Sequence, residues 1–147
     1  MKRSEKQQGK GSKKRVLVIE DEPVITRVCE RVLTAEGFDV DVAANGNIAK
    51  DMIAEQDYDL CISDVRTPEM NGIEFYRYLQ ERQSPLVDKV IFTTGDVLSE
   101  DIKNFLAEVN RPFLPKPFTP DDLSSAVQNA FQDTDERDFG SCGETAD

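Results

Sequence analysis

Five times in succession, a short strand-like run in this chain is followed by a segment whose apolar residues recur every three or four positions, and that alternation leaves few architectures open. Arg15 to Glu20 is rich in aliphatic and β-branched residues without period-two polarity, as a strand buried on both faces requires. Phe38 to Ala43 alternates as a short strand, Tyr58 to Asp64 reads as a third, Val90 to Thr94 as a fourth and Phe113 to Pro115 as a fifth. The intervening helical stripes are Ile25, Val28, Cys29, Val32 and Leu33; Ile48, Ala49, Met52 and Ile53; Phe75, Tyr78 and Leu79; Ile102, Phe105, Leu106 and Val109; and Leu123, Ala126, Val127, Ala130 and Phe131. Pro23 suits a first helical turn with Asp21 or Glu22 near its cap, and Gly37 ends that helix. Asn45-Gly46 makes a turn or begins a helix, and Val65 to Gly72, with Pro68 and Asn71-Gly72, is a loop.

Successive βα units with right-handed crossovers build a parallel sheet that helices must cover on both faces. The predicted class is therefore α/β, a flavodoxin-like (βα)5 three-layer sandwich. That class hosts flavin binders, switches and hydrolases alike, so function has to come from the site. A length of 147 residues favours one domain with tails. Residues 1–13 read as a basic disordered tail and 134–147 as an acidic one, around a domain at 14–133. From Met1 to Arg15 seven basic residues oppose Glu5 alone, and from Asp133 to Asp147 six acids oppose Arg137. The formal charge of −11 argues against direct DNA binding by the folded part, because phosphate backbones need a basic face. The longest apolar run falls far short of the ~20 residues of a spanning helix, so no membrane is expected. Cys29, Cys61 and Cys142, an odd number without CxxC spacing, fit a reducing cytoplasmic compartment, with Cys29 and Cys61 read as packing residues.

The chemistry gathers at the ends of the apolar runs. Glu20 and Asp21 follow the first, Asp64 the third and Lys116 the fifth. If the runs are neighbouring parallel strands, these residues converge on the carboxyl edge of the sheet, where open α/β folds keep their ligand sites. Converged acids repel unless a cation joins them or one takes up a proton, which points to a divalent metal with Lys116 offsetting further charge. GxGxxG and GxxxxGK[ST] are both missing, and Glu20-Asp21-Glu22-Pro23 at the first turn would repel a nucleotide's phosphates. With no histidine in the chain, Ser-His-Asp and Cys-His mechanisms and histidine-ligated zinc are excluded.

Over about Lys14 to Asp133, these residues resemble the receiver (CheY-like) domain of bacterial two-component response regulators. The resemblance rests on Glu20-Asp21 after the first strand, Asp64 in Ile62-Ser63-Asp64-Val65-Arg66-Thr67-Pro68, Thr94 in Phe92-Thr93-Thr94-Gly95-Asp96, and Lys116 in Pro115-Lys116-Pro117-Phe118. It implies a sheet order of 2-1-3-4-5, Asp64 as phosphoryl acceptor, Thr94 as switch hydroxyl and Lys116 as active-site lysine. It implies Mg2+ held by Glu20, Asp21, Asp64 and the backbone carbonyl of Arg66, with Glu20 or Asp21 acting partly through water. Phe113, three before Lys116, matches the switch aromatic, where receivers often carry Tyr. The output surface is then the face of the fourth helix, fifth strand and fifth helix, and Lys116-Pro117 is expected to be cis.

The chain departs from the family at Thr67, where an apolar residue is common. Arg66 and Asp96 occupy the positions that face the attacking water, and the expectation is that they pair and slow dephosphorylation. Lacking histidine, the chain must receive its phosphoryl group from a sensor histidine kinase or a histidine phosphotransfer protein and pass the signal to an unknown downstream protein, with a homodimer on phosphorylation left open. The expected function is a stand-alone phosphoacceptor switch in a phosphorelay, not a classical enzyme. The alternatives are the receiver of a hybrid sensor kinase, a pseudo-receiver binding module that is never phosphorylated, and a small Mg2+-dependent phosphohydrolase, against which Arg66 speaks because it stands where a second acid would be needed.

Overall fold

A computed structural model describes residues 13–95 and 99–139, with side chains to 132. Five parallel strands, β1 (Arg15–Ile19), β2 (Asp39–Ala43), β3 (Leu60–Asp64), β4 (Val90–Thr94) and β5 (Phe113–Pro115), lie in the order β2-β1-β3-β4-β5. Helices α1 (Pro23–Ala35), α2 (Gly46–Glu55), α3 (Gly72–Glu81), α4 (Glu100–Val109) and α5 (Pro120–Phe139) make the crossovers. The strand order reverses between β1 and β3, and this switch point brings the ends of both strands to one crevice.

The sheet divides two cores, as its two-sided burial requires. On one side Leu17, Ile19, Cys61 and Phe92 meet Phe75 and Leu79 of α3 and Ile102 and Phe105 of α4. On the other, Val16, Val18, Ile62 and Ile91 meet Cys29 and Leu33 of α1 and Leu123 and Val127 of α5. Every residue of β3 and β4 is buried, whereas β2 and β5 are edges. Cys29 and Cys61 are buried free thiols, in keeping with packing roles.

Local signals fix the connections. The side chain of Asn45 caps α2 by accepting from Ile48 N–H, and Asn71 and Glu74 form a reciprocal capping box on α3. Gly72 is indispensable in shape: a Cβ there would collide with the carbonyl oxygen of Asp64 and come within 2.9 Å of Ser63 Oγ. The start of α3 can therefore press directly on the end of β3. Three features differ from the sequence reading. A 3-10 helix, Pro85–Lys89, fills the link before β4, started by Ser84 accepting from Leu86 N–H. Tyr76, outside the expected stripe, is buried edge-on against Phe92 and Phe105. α5 runs to Phe139, past the boundary set at Asp133, because no Gly or Pro interrupts the chain between Pro120 and Gly140. Lys13 also lies within reach of the fold, 3.9 Å from Asp39. The calls on residues 1–12 and 140–147 lie outside the described residues.

Candidate functional site

β1 ends in Ile19 and delivers Glu20 and Asp21 to the carboxyl edge of the sheet, and β3 ends in Asp64 beside them. One carboxylate oxygen from each of the three lies within 4.8 Å of the others. Glu20 and Asp64 are only 2% and 5% exposed, and Asp21 is exposed. β5 supplies the opposing charge. Lys116 N–H donates to the carbonyl of Thr94 (2.9 Å), fixing where the side chain starts. Its Nζ then stands 3.0 Å from Glu20 Oε1, 3.1 Å from Asp64 Oδ2 and 3.0 Å from Glu22 Oε1. The Lys116-Pro117 bond is cis, as the resemblance implies.

Each Asp64 oxygen has a donor of its own. Oδ1 accepts from the backbone N–H of Arg66 (3.3 Å) and Oδ2 from Lys116, which holds the carboxylate plane in one orientation. Glu20 Oε2 accepts from Glu22 N–H (3.1 Å). Burial pushes the Glu20 carboxyl up to about 7, the neighbouring Asp64 charge adds to the rise, and the hydrogen bond from Lys116 opposes it. Burial also works against the Lys116 ammonium, but hydrogen bonds to Glu20 and Glu22 and the Asp64 charge outweigh it and hold its pKa above the usual lysine value. Among the described residues the pocket is thus a nest of anions around the Lys116 ammonium, short of positive charge. Three convergent carboxylates are hard oxygen donors of the kind Mg2+ takes, so the residues fit that ion.

Thr94 closes β4 at 1% exposure, one residue beyond the Asp64–Thr93 register pair. Among the described residues, a Cβ at Gly95 would meet nothing nearer than Lys116 Cβ at 3.9 Å. Phe113 is not brought into the site. It sits 39% exposed on the edge strand, in register with Phe92. Thr67 is buried and its hydroxyl donates to the Met70 carbonyl (2.9 Å), which explains how a polar residue replaces an apolar one in this loop. Arg66 is exposed beside Asp64, and Asp96 lies outside the described residues. Sequence reasoning missed Glu22 as a partner of Lys116. An acidic residue before Pro23 reads equally well as a helix cap, and only the fold brings residues 22 and 116 together.

Comparison with known proteins gives the same picture. The family model described as response regulator receiver domain matches residues 16–128, more than half of the chain. The transcriptional regulatory protein TcrA of Mycobacterium tuberculosis is 34% identical over 120 residues, which cover 82% of this chain and 47% of TcrA. The chain spans about half the length, or less, of the curated relatives it matches. Among solved structures, chemotaxis protein CheY4 of Vibrio cholerae superposes with a TM-score of 0.72 at 27% identity, covering 81% of this chain and 99% of that one. The receiver domain of sensor histidine kinase PA1611 from Pseudomonas aeruginosa, a structure with a magnesium ion coordinated in its active-site cleft, gives 0.71 at 27% identity, covering 82% and 99%.

Proposed function

The chain belongs to the response regulator receiver domain family, and from that premise we propose that it is a phosphoacceptor switch that takes a phosphoryl group onto Asp64. The observation that carries this reading is the juxtaposition of Glu20, Asp21 and Asp64 within 4.8 Å, with the Lys116 ammonium 3.1 Å from Asp64. The donor is a phosphohistidine on a sensor kinase or phosphotransfer protein. An Asp64 carboxylate oxygen attacks phosphorus; the P–O bond forms as the P–N bond breaks, and the imidazole nitrogen keeps the electron pair and is protonated by solvent. The two hydrogen bonds on Asp64 hold its carboxylate in one orientation for that attack. Glu20, Asp21, Asp64 and the Arg66 carbonyl would hold Mg2+, which when bound supplies positive charge against the anionic phosphoryl group. Lys116 offers a point charge to one phosphoryl oxygen, and the Thr94 hydroxyl donates to another.

The same contacts make the switch. Thr94 moves toward the phosphoryl group and vacates space that Phe113, exposed on its edge strand, turns in to fill. Charge-assisted hydrogen bonds of about 1.5 to 3 kcal/mol each are enough to reverse a gap of a few kcal/mol between two states. The readout face is α4, β5 and α5, which a downstream protein or a second copy of the chain would bind. Arg66 and Asp96, two residues beyond Asp64 and Thr94 in the chain, slow hydrolysis of the acyl phosphate. The buried free thiols Cys29 and Cys61 support a cytoplasmic setting. No described helix is long and apolar enough to cross a membrane. A stand-alone receiver and the receiver of a hybrid kinase would use these residues in the same way. Incubation with acetyl phosphate and Mg2+ tests the proposal: intact mass rises by one phosphoryl group in the wild-type chain and stays unchanged in Asp64→Asn, whereas an equal gain in both would refute it.

A further inference from the structure

An ammonium has three N–H donors, and those of Lys116 face three carboxylates, Glu20, Glu22 and Asp64, at 3.0, 3.0 and 3.1 Å. A phosphoryl oxygen arriving on Asp64 needs one of these donors, so one partner must leave. Glu20 and Asp64 are almost wholly buried and are committed to the site itself, as proposed metal ligand and acceptor, so neither is free to turn to water. The Glu22 side chain is 60% exposed, and it passes from ammonium to water at little cost.

Glu22 is also relieved of the usual duty of its position. It is the N-cap residue of α1, yet its side chain makes no capping hydrogen bond, and α1 begins with Pro23, which has no N–H to satisfy. Its backbone is anchored on both sides. The N–H donates to Glu20 Oε2, and the carbonyl accepts from Ile25 and Thr26 N–H at 3.0 Å each. The side chain therefore stands on a fixed base, largely open to solvent, with its carboxylate on the lysine.

We propose that Glu22 is a positioning residue that holds the Lys116 ammonium over Asp64 in the resting state and yields its place to the incoming phosphoryl oxygen, its charge limiting how readily anionic donors enter. This rests on Asp64 being the phosphoryl acceptor. The test uses the full chain with Mg2+ and two small donors of different charge, acetyl phosphate (a dianion) and phosphoramidate (a monoanion), with second-order rate constants read by intact mass. E22Q should raise the acetyl phosphate constant about three- to tenfold, the effect of removing one charge a few ångströms away through water. The gain should be smaller with phosphoramidate and should shrink in about 0.5 M KCl. E22D, which keeps the charge, should stay within about twofold of wild type. Equal gains with both donors, or no gain with either, would overturn the proposal. Should the wild-type chain accept no phosphoryl group, it is the Asp64 reading that fails. The tether is then judged without a donor, by NMR of the Lys116 ammonium: its protons must exchange faster with water in E22A, and unchanged exchange sinks the idea.

Discussion

Replacing Lys116 by Ala removes the only cation within hydrogen-bonding range of Glu20 and Asp64 among the described residues, and the cost can be worked from the site. The contact with exposed Glu22 contributes roughly 0 to 1 kcal/mol. The contacts with two buried carboxylates matter more, because breaking a buried pair from one side costs about 3 to 5 kcal/mol. Lys116→Ala in metal-free buffer should therefore destabilise the fold by about 3 to 4 kcal/mol at pH 8. The sign of the pH dependence follows from Glu20. Its folded pKa is already raised to about 7 against an ordinary value of 4.5, and Lys116 acts to lower it, so the variant raises it further. A carboxyl raised on folding contributes its full stability below the unfolded value and loses it as pH climbs through the folded one. Between pH 7 and 8 the variant keeps a proton that the wild type, half-titrated at pH 7, goes on to release, so its extra cost grows by up to about 1 kcal/mol over that unit and is flat below pH 6. Urea denaturation of both proteins in EDTA at pH 6, 7 and 8 measures this, and saturating Mg2+ should recover part of the loss. A cost below about 1 kcal/mol at pH 8, or one that does not vary across this range, would refute the claim that Lys116 keeps the buried Glu20 carboxylate charged.

Three further outcomes are expected. Gly72→Ala should destabilise by about 1 to 3 kcal/mol and slow phosphoryl uptake, because the new methyl must push α3 away from the Asp64 carbonyl; a thermal melt together with the acetyl phosphate assay checks both, and an unchanged melt would contradict the packing argument. Mg2+ should bind about tenfold more tightly at pH 8 than at pH 6, because at pH 6 the ion must first displace a proton from Glu20; isothermal titration at the two pH values reads this, and equal affinities would count against Glu20 as a ligand. The double variant Arg66→Ala, Asp96→Ala should shorten the half-life of the acyl phosphate severalfold, and a half-life that holds or lengthens removes these residues from the hydrolysis step.

Much of this molecule can be read along the chain because buried parallel strands leave a blunt signal. Val16 to Ile19 and Leu60 to Ile62 have no polar side to hide, and the acids that follow them stand at strand ends in the fold as they do in the text. The order of strands is less legible. Alternation of strand and helix predicts a parallel sheet, and only the resemblance to receivers suggested that β1 lies between β2 and β3. Tyr76 escaped notice because a stripe drawn through Phe75, Tyr78 and Leu79 is narrower than the arc that α3 buries between β4 and α4. The last part of α5 escaped because Asp133 to Asp138 is polar throughout, so composition read as a tail what the structure continues as helix. Glu22 shows the deeper limit. Its partner lies 94 residues away, and nothing in the local pattern distinguishes a carboxylate that caps a helix from one that crosses to a lysine.

Reduction of the freshly phosphorylated chain with borohydride, followed by peptide mapping, puts the central claim to the most direct test, because an aspartyl phosphate is converted to homoserine where it stood. The account predicts homoserine at position 64 alone, dependent on Mg2+ during the phosphorylation step. Homoserine at position 21, its counterpart from a glutamyl phosphate at position 20 or 22, or an unmodified Asp64 in a chain that carries phosphoryl label, would contradict it.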